Sequence, residues 1–69
     1  MNRTPVSSSN VASVGYDQNT MTLEVEFTNG SVYQYFDVPD VEYRNLIGAE
    51  SVGRYLNHNI KASYRYVQI

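Results

Sequence analysis

Apolar and polar residues alternate most regularly at residues 21–27, where Met21, Leu23, Val25 and Phe27 interleave with Thr22, Glu24 and Glu26. A period of two belongs to a strand with one buried face and one wet face. Asn29-Gly30 follows, then the β-rich run Val32-Tyr33-Gln34-Tyr35-Phe36. Two such runs joined by Asn-Gly predict a hairpin. Upstream, residues 11–16 carry Val11 and Val14 among small residues and predict a first strand, closed by the turn formers Asp17-Gln18-Asn19. Residues 1–10 read as an extended lead-in. Thr4 precedes Pro5, which disfavours helix, and Ser7-Ser8-Ser9-Asn10 favours local side-chain to backbone bonds.

The hairpin admits two registers. A two-residue turn sets Phe27 opposite Val32 and leaves Tyr33 and Tyr35 on the outer face with Glu24 and Glu26. A three-residue turn with Gly30 in the left-handed bulge position sets Tyr33 opposite Val25 and Tyr35 opposite Leu23, with Glu24 exposed opposite Gln34. A one-residue slip turns every side chain to the other face. The bulge is the expected register, because it buries two rings in a chain short of core.

Beyond the hairpin the period lengthens. Val38-Pro39-Asp40 predicts a helix start, with Pro suited to the first turn. Asp37, Asp40 and Glu42 sit where the helix dipole favours negative charge. Val41, Leu46 and Ile47 form the expected inner face, with Tyr43 at its edge and Gly48 as the end signal. Ser51 is a candidate N-cap for a short second helix with Val52, Tyr55, Leu56 and Ile60 inward. Gly53 within it costs about 1 kcal/mol relative to Ala. Residues 63–67 alternate again and predict a closing strand. The expected fold class is α+β: a three-stranded antiparallel meander, two short helices and a short C-terminal strand, in one domain over residues 1–69.

Size sharpens this picture. A chain of 69 residues buries only roughly 60% of the surface its unfolded form exposes. There is no Cys, and His58 is the one histidine, so neither a disulfide nor a structural zinc site can reinforce the core. No cofactor is expected. Seven Tyr and two Phe supply compact apolar area, and self-association would add more. Residues 1–15 contain no apolar run suited to a signal peptide, and no stretch approaches a membrane span. The expectation is a cytoplasmic protein with no membrane partner.

Net charge is −2, unevenly spread. Residues 1–50 hold all seven carboxylates with only Arg3 and Arg44, a net of −5, whereas residues 51–69 hold Arg54, Lys61 and Arg65 and no carboxylate, a net of +3. Such asymmetry points to an acidic partner. Arg54, His58 and Lys61 are spaced to share one helix face, and Tyr64, Arg65 and Tyr66 follow closely. Cations on phosphate with aromatic rings under bases is how single-stranded nucleic acid is held. These six residues are the candidate nucleic-acid-binding set. The plainer reading is a solvated helix face with the Tyr rings in the core.

Other candidates are weaker. Tyr33 and Tyr35 could form a stacking platform if both faced outward, but Glu24 and Glu26 would flank them and repel phosphate, so core packing is preferred. Ser7-Ser8-Ser9-Asn10 could hold a phosphate, or simply bond its own backbone. For catalysis, no spacing selects a Ser or Asp to act with His58. Gly48 and Gly53 have phosphate-loop spacing, but Arg54-Tyr55 stand where Lys and Ser or Thr are required. An enzyme is not expected.

Several runs taken together carry a family resemblance. Arg3-x-Pro5-Val6-Ser7-Ser8-Ser9-Asn10, Gly15-Tyr16-Asp17, Leu23-Glu24-Val25-Glu26-Phe27-x-Asn29-Gly30 and Val32-Tyr33-x-Tyr35 are similar to the KTSC domain. So are Val38-Pro39, Ser51-x-Gly53-x-Tyr55-Leu56-Asn57 and Ile60-Lys61-x-x-Tyr64. The family is named for a module at the C-terminus of some lysyl-tRNA synthetases, and it also occurs alone as a short bacterial or phage-type protein. The synthetase context implies RNA as a partner, an implication from association rather than chemistry. The expected function is a small non-catalytic module binding RNA or single-stranded nucleic acid. The alternative is a protein-interaction module, either a homodimer or an adaptor.

Overall fold

The computed structural model describes all residues, Met1–Ile69. Strands β1 (Arg3–Pro5), β2 (Val11–Asp17), β3 (Thr22–Phe27) and β4 (Val32–Tyr35) are followed by helices α1 (Asp40–Ile47) and α2 (Val52–Tyr55). A π-helical turn, Leu56–Ile60, continues α2, and β5 (Tyr66–Gln68) closes the chain. The strands form one antiparallel sheet in the order β1-β2-β3-β4-β5. The α+β class is as expected, but the sheet is larger than a three-stranded meander. The lead-in contributes β1, which pairs with β2 through Arg3↔Gly15 and Pro5↔Ser13. The last strand starts three residues later and ends one residue later than its alternation suggests, and it pairs Tyr66 with Tyr35. No helix is long and apolar enough to cross a membrane.

The hairpin adopts the bulge register. Gly30 has φ +92°, Phe27 N donates to Ser31 O at 2.8 Å and Gly30 N to Phe27 O at 2.9 Å. Tyr35 then faces Leu23, Tyr33 faces Val25 and Gln34 faces Glu24. One sheet face therefore carries Val14, Leu23, Val25 and Tyr35, and the helices cover it with Leu46, Val52, Leu56 and Ile60. Tyr35 is 2% exposed, whereas Tyr33 is only half-buried.

Two expectations about exposure are corrected. Glu24 is 7% exposed, not on open surface. Arg3 Nη1 donates to its Oε2 at 2.7 Å and Gln34 Nε2 to its Oε1 at 2.9 Å, so side chains from β1 and β4 close over it. In α1, Val41 and Ile47 are 58% and 46% exposed, leaving Leu46 as the buried member of the expected inner face. The helix is turned so that Tyr43 stacks on Tyr16, with centroids 4.9 Å apart and planes 10° apart, and Glu42 reaches the second helix. Pairing those polar and aromatic tips outweighs burying two more aliphatic chains on a helix of only eight residues.

Small residues mark where the lead-in touches the rest. A Cβ on Gly15 would sit 2.6 Å from the Asn2 carbonyl oxygen, so glycine lets β1 approach. A Cβ on Gly53 would collide with Asn10 Oδ1, so the helical weakness of Gly53 admits the Ser7-Ser8-Ser9-Asn10 loop. That loop bonds itself, as its plainer reading expects: Ser8 Oγ accepts from Asn10 N and Val11 N, each at 3.4 Å. Ser51 caps α2 by accepting from Arg54 N at 3.2 Å.

Candidate nucleic-acid interface

The helices are too short to cover the whole apolar face of the sheet. Where they end, next to the β3–β4 turn, a groove of about 390 Å³ remains. Phe27 from β3, Tyr33 and Tyr35 from β4, Tyr66 from β5 and Lys61 after the π turn line it. Register builds this row: Tyr33 opposes Val25 and Tyr66 opposes Tyr35, so alternate residues of three strands share a face. Phe27 and Tyr33 meet edge to face at 5.6 Å, and Tyr66 lies 5.8 Å from Tyr33 and 5.7 Å from Tyr35. Tyr66 remains 58% exposed. Burial raises the Tyr35 hydroxyl pKa above its usual value, with lesser contributions from Tyr33 and Tyr66. The ring stays a neutral phenol at physiological pH.

Lys61 supplies the groove's charge. Its Nζ lies 5.2 Å from the Phe27 ring centroid, a cation over an aromatic face. Asn10, Thr28, Asn29 and Ser31 complete the rim, and no carboxylate lines it. In a chain with seven carboxylates, that leaves a locally positive, aromatic concavity.

The six residues singled out from the sequence fall in several places. Lys61 and Tyr66 line the aromatic groove. Arg54 and His58 line a different depression together with Glu50 and Asn59. The π turn separates them. Lys61 N bonds Leu56 O, five residues back, at 3.0 Å, and the wider turn rotates Lys61 off the stripe an α-helix would give. Arg65 lies 5.4 Å from the Phe36 ring centroid and 3.5 Å from Asp37, its guanidinium largely exposed.

Tyr64 has a structural task. Its hydroxyl donates to Glu42 Oε2 at 2.7 Å, and the Tyr55 hydroxyl donates to Oε1 of the same carboxylate. Burial, then the Glu42 bond and charge, push the Tyr64 pKa up to about 12. The Glu42 bond comes first among the causes that raise Tyr55. Glu42 thus ties α1 to α2 and to the segment that leads into β5, rather than only meeting the helix dipole.

Beyond Lys61 and Tyr66, sequence reasoning weighs Tyr33 and Tyr35 as a stacking platform and Asn10 as part of a phosphate loop but prefers their plainer readings, and it does not consider Phe27, Thr28, Asn29 or Ser31 for binding. The bulge register already places Phe27 and Tyr33 on one face. The missing signal is that two short helices leave that end of the face uncovered.

Comparison with known proteins agrees with the fold. The KTSC domain profile matches residues 7–64. An uncharacterised protein of Stutzerimonas stutzeri is 41% identical over 70 residues, covering 100% of this chain and 99% of its own. A protein of Tsukamurella paurometabola is 38% identical over 65 residues, covering 94% and 97%. A segment of the lysine–tRNA ligase of Nostoc punctiforme is 43% identical over 54 residues, 78% of this chain but 10% of the ligase. Among solved structures, a KTSC domain protein from Yersinia pestis superposes with a TM-score of 0.93 at 39% identity, covering 99% of this chain and 96% of that one.

Proposed function

This chain belongs to the KTSC domain family, and on that premise we propose that it is a small cytoplasmic binding module, without catalytic activity, for single-stranded nucleic acid, RNA foremost. The observation that carries the reading is the carboxylate-free row of Phe27, Tyr33 and Tyr66 with Lys61 beside it. Each base stacked on an aromatic ring contributes about 1–3 kcal/mol, and every base has a face to stack, so such a groove accepts many sequences. Lys61 offers a phosphate contact, and exposed Arg54 and Arg65 provide cations for a strand running beyond the groove. The related segment in a ligase named for tRNA is consistent with this ligand.

Fluorescence anisotropy with short RNA and DNA oligomers tests the reading. Tyr66→Ala should weaken binding roughly ten-fold, the equivalent of about 1.4 kcal/mol. Lys61→Ala should also weaken it and flatten the log–log salt dependence by about 0.7, one phosphate contact on a single strand. Absence of binding at millimolar protein and low salt, or equal binding by both variants, refutes it.

A second reading has its own observation. β5 is an edge strand with Val67 and Ile69 exposed beside it, and such an edge is a template for another chain. A protein-interaction module built on it, whether homodimer or adaptor, would hold its partner with little dependence on salt.

A further inference from the structure

We infer that β5 pairs with β5 of a second copy of this chain, antiparallel about a two-fold axis at Val67; this rests on the protein-interaction reading above and commits it to a homodimer. The basis is which backbone groups each edge of the sheet leaves free. Phe36 N donates to Arg65 O and Ile69 N to Val32 O, each at 2.9 Å. Bonded pairs alternate along an antiparallel ladder, and Val67 opposes Gln34. Residues 65, 67 and 69 therefore turn their backbone groups to β4, whereas Tyr66 and Gln68 turn N–H and C=O to the open edge. The opposite edge is blocked. Val6 N donates to Ala12 O at 3.2 Å and Thr4 opposes Val14, so the same alternation points Arg3 and Pro5 outward. Pro5 has no N–H to offer, a common device for closing an edge. β5, with the sequence Tyr-Val-Gln, has neither proline nor charge.

This edge matches its own copy in register and in charge. With the axis at Val67, Tyr66 of each copy lies opposite Gln68 of the other, and every outward N–H finds an outward C=O. The two Val67 side chains, each 44% exposed in the single chain, meet at the non-bonded position, where facing side chains come closest. Although each molecule carries a net charge of −2, no carboxylate lies on β4 or β5. The nearest cation, Arg65, is 3.5 Å from Asp37, so no unbalanced charge faces its twin across the axis. Three paired residues from each copy are far fewer than the roughly 20–30 a side of a stable complex. The dimer is therefore weak and reversible, with Kd on the order of 0.1–1 mM. Tyr66 opposes Tyr35 and keeps to the groove face, so dimerisation sets the two aromatic grooves side by side on one sheet face.

Sedimentation equilibrium of the wild type up to about 2 mM should show monomer giving way to dimer. Gln68→Pro removes the outward N–H and leaves the bonds to β4 in place, so Kd should rise about ten-fold or more with an unchanged circular dichroism spectrum. Val67→Lys sets two cations on the axis and should have the same effect. Val41→Lys adds the same charge at a site on α1 that is 58% exposed, and it should leave Kd unchanged. In nitrogen-15 NMR spectra, the amides of Tyr66 and Gln68 should shift with concentration while those of β1 stay fixed. A wild type that is monomeric at about 2 mM overturns the inference and leaves the adaptor form of the protein-interaction reading standing. A dimer held equally well by Gln68→Pro and Val67→Lys, or one whose shifts fall away from β5, overturns the pairing at this edge and leaves a homodimer through another surface.

Discussion

Removing the Glu42 carboxylate should loosen three elements at once. Glu42 accepts from Tyr55 and from Tyr64, joining α1, α2 and the segment before β5. A hydrogen bond to a charged group contributes about 1.5–3 kcal/mol, and all three side chains are half-buried, so the lower end applies to each. Glu42→Ala should therefore cost about 3 kcal/mol, including two hydroxyls left without their acceptor. A chain of 69 residues has a total stability of roughly 3–10 kcal/mol at typical per-residue values, so this is a third of it or more. With a urea slope of about 1.5 kcal/mol/M, the midpoint should fall by roughly 2 M. Far-ultraviolet circular dichroism follows the transition, since there is no Trp. The decisive arm is a double-mutant cycle. Tyr55→Phe and Tyr64→Phe should each cost about 1–2 kcal/mol in the wild type and close to nothing in the Glu42→Ala background. If both cost the same in the two backgrounds, Glu42 is not the shared acceptor and the reasoning fails.

Alkali should act on the same junction. The Tyr64 pKa rises from the ordinary 10.0 to about 12 on folding, so its contribution is complete below pH 10 and is lost as pH rises from there through about 12. Melting temperature should fall over that window, and Tyr64→Phe should flatten the fall; an identical pH profile for wild type and variant contradicts the assignment. The rotation of α1 is tested by Val41→Lys and Ile47→Lys, which should each change stability by less than about 0.5 kcal/mol, against about 2–5 kcal/mol for Leu46→Ala. A large loss in either lysine variant, measured by urea denaturation, would return those residues to the core.

Where local chemistry decides the outcome, the sequence is legible. Asn29-Gly30 with alternating flanks specifies the hairpin, and the need to bury rings selects the bulge that places Tyr35 against Leu23. Ser51 announces the second helix and caps it. Legibility ends where distant segments meet. Alternation assigns Glu24 to the outer face correctly, but it says nothing of Arg3 and Gln34 closing over it. The apolar positions of α1 suggest a Val41 and Ile47 face, whereas Tyr16 on a neighbouring strand and Tyr55 on the next helix set the rotation. The charge split marks the C-terminal region, but an α-helical stripe cannot anticipate a π turn that sends Lys61 to Phe27 and leaves Arg54 with His58.

The order of the sheet bears on how the groove comes together. Each strand pairs only with its neighbours along the chain, and the first four are joined by short turns, so they can assemble through local contacts. β5 is different: the segment between Tyr35 and Tyr66 contains both helices and the π turn. Closing it costs about 2 kcal/mol more in chain entropy than closing a four-residue turn. β5 returns only three residues of pairing, all exposed. The strand that carries Tyr66 is thus, like β1 at the other edge, held by few contacts and poorly protected against local opening. The groove's outer wall stands on a weakly secured edge of the sheet, so a ligand lying across Tyr66 would also hold the strand down. Occupancy of the groove and completion of the fold would then be coupled.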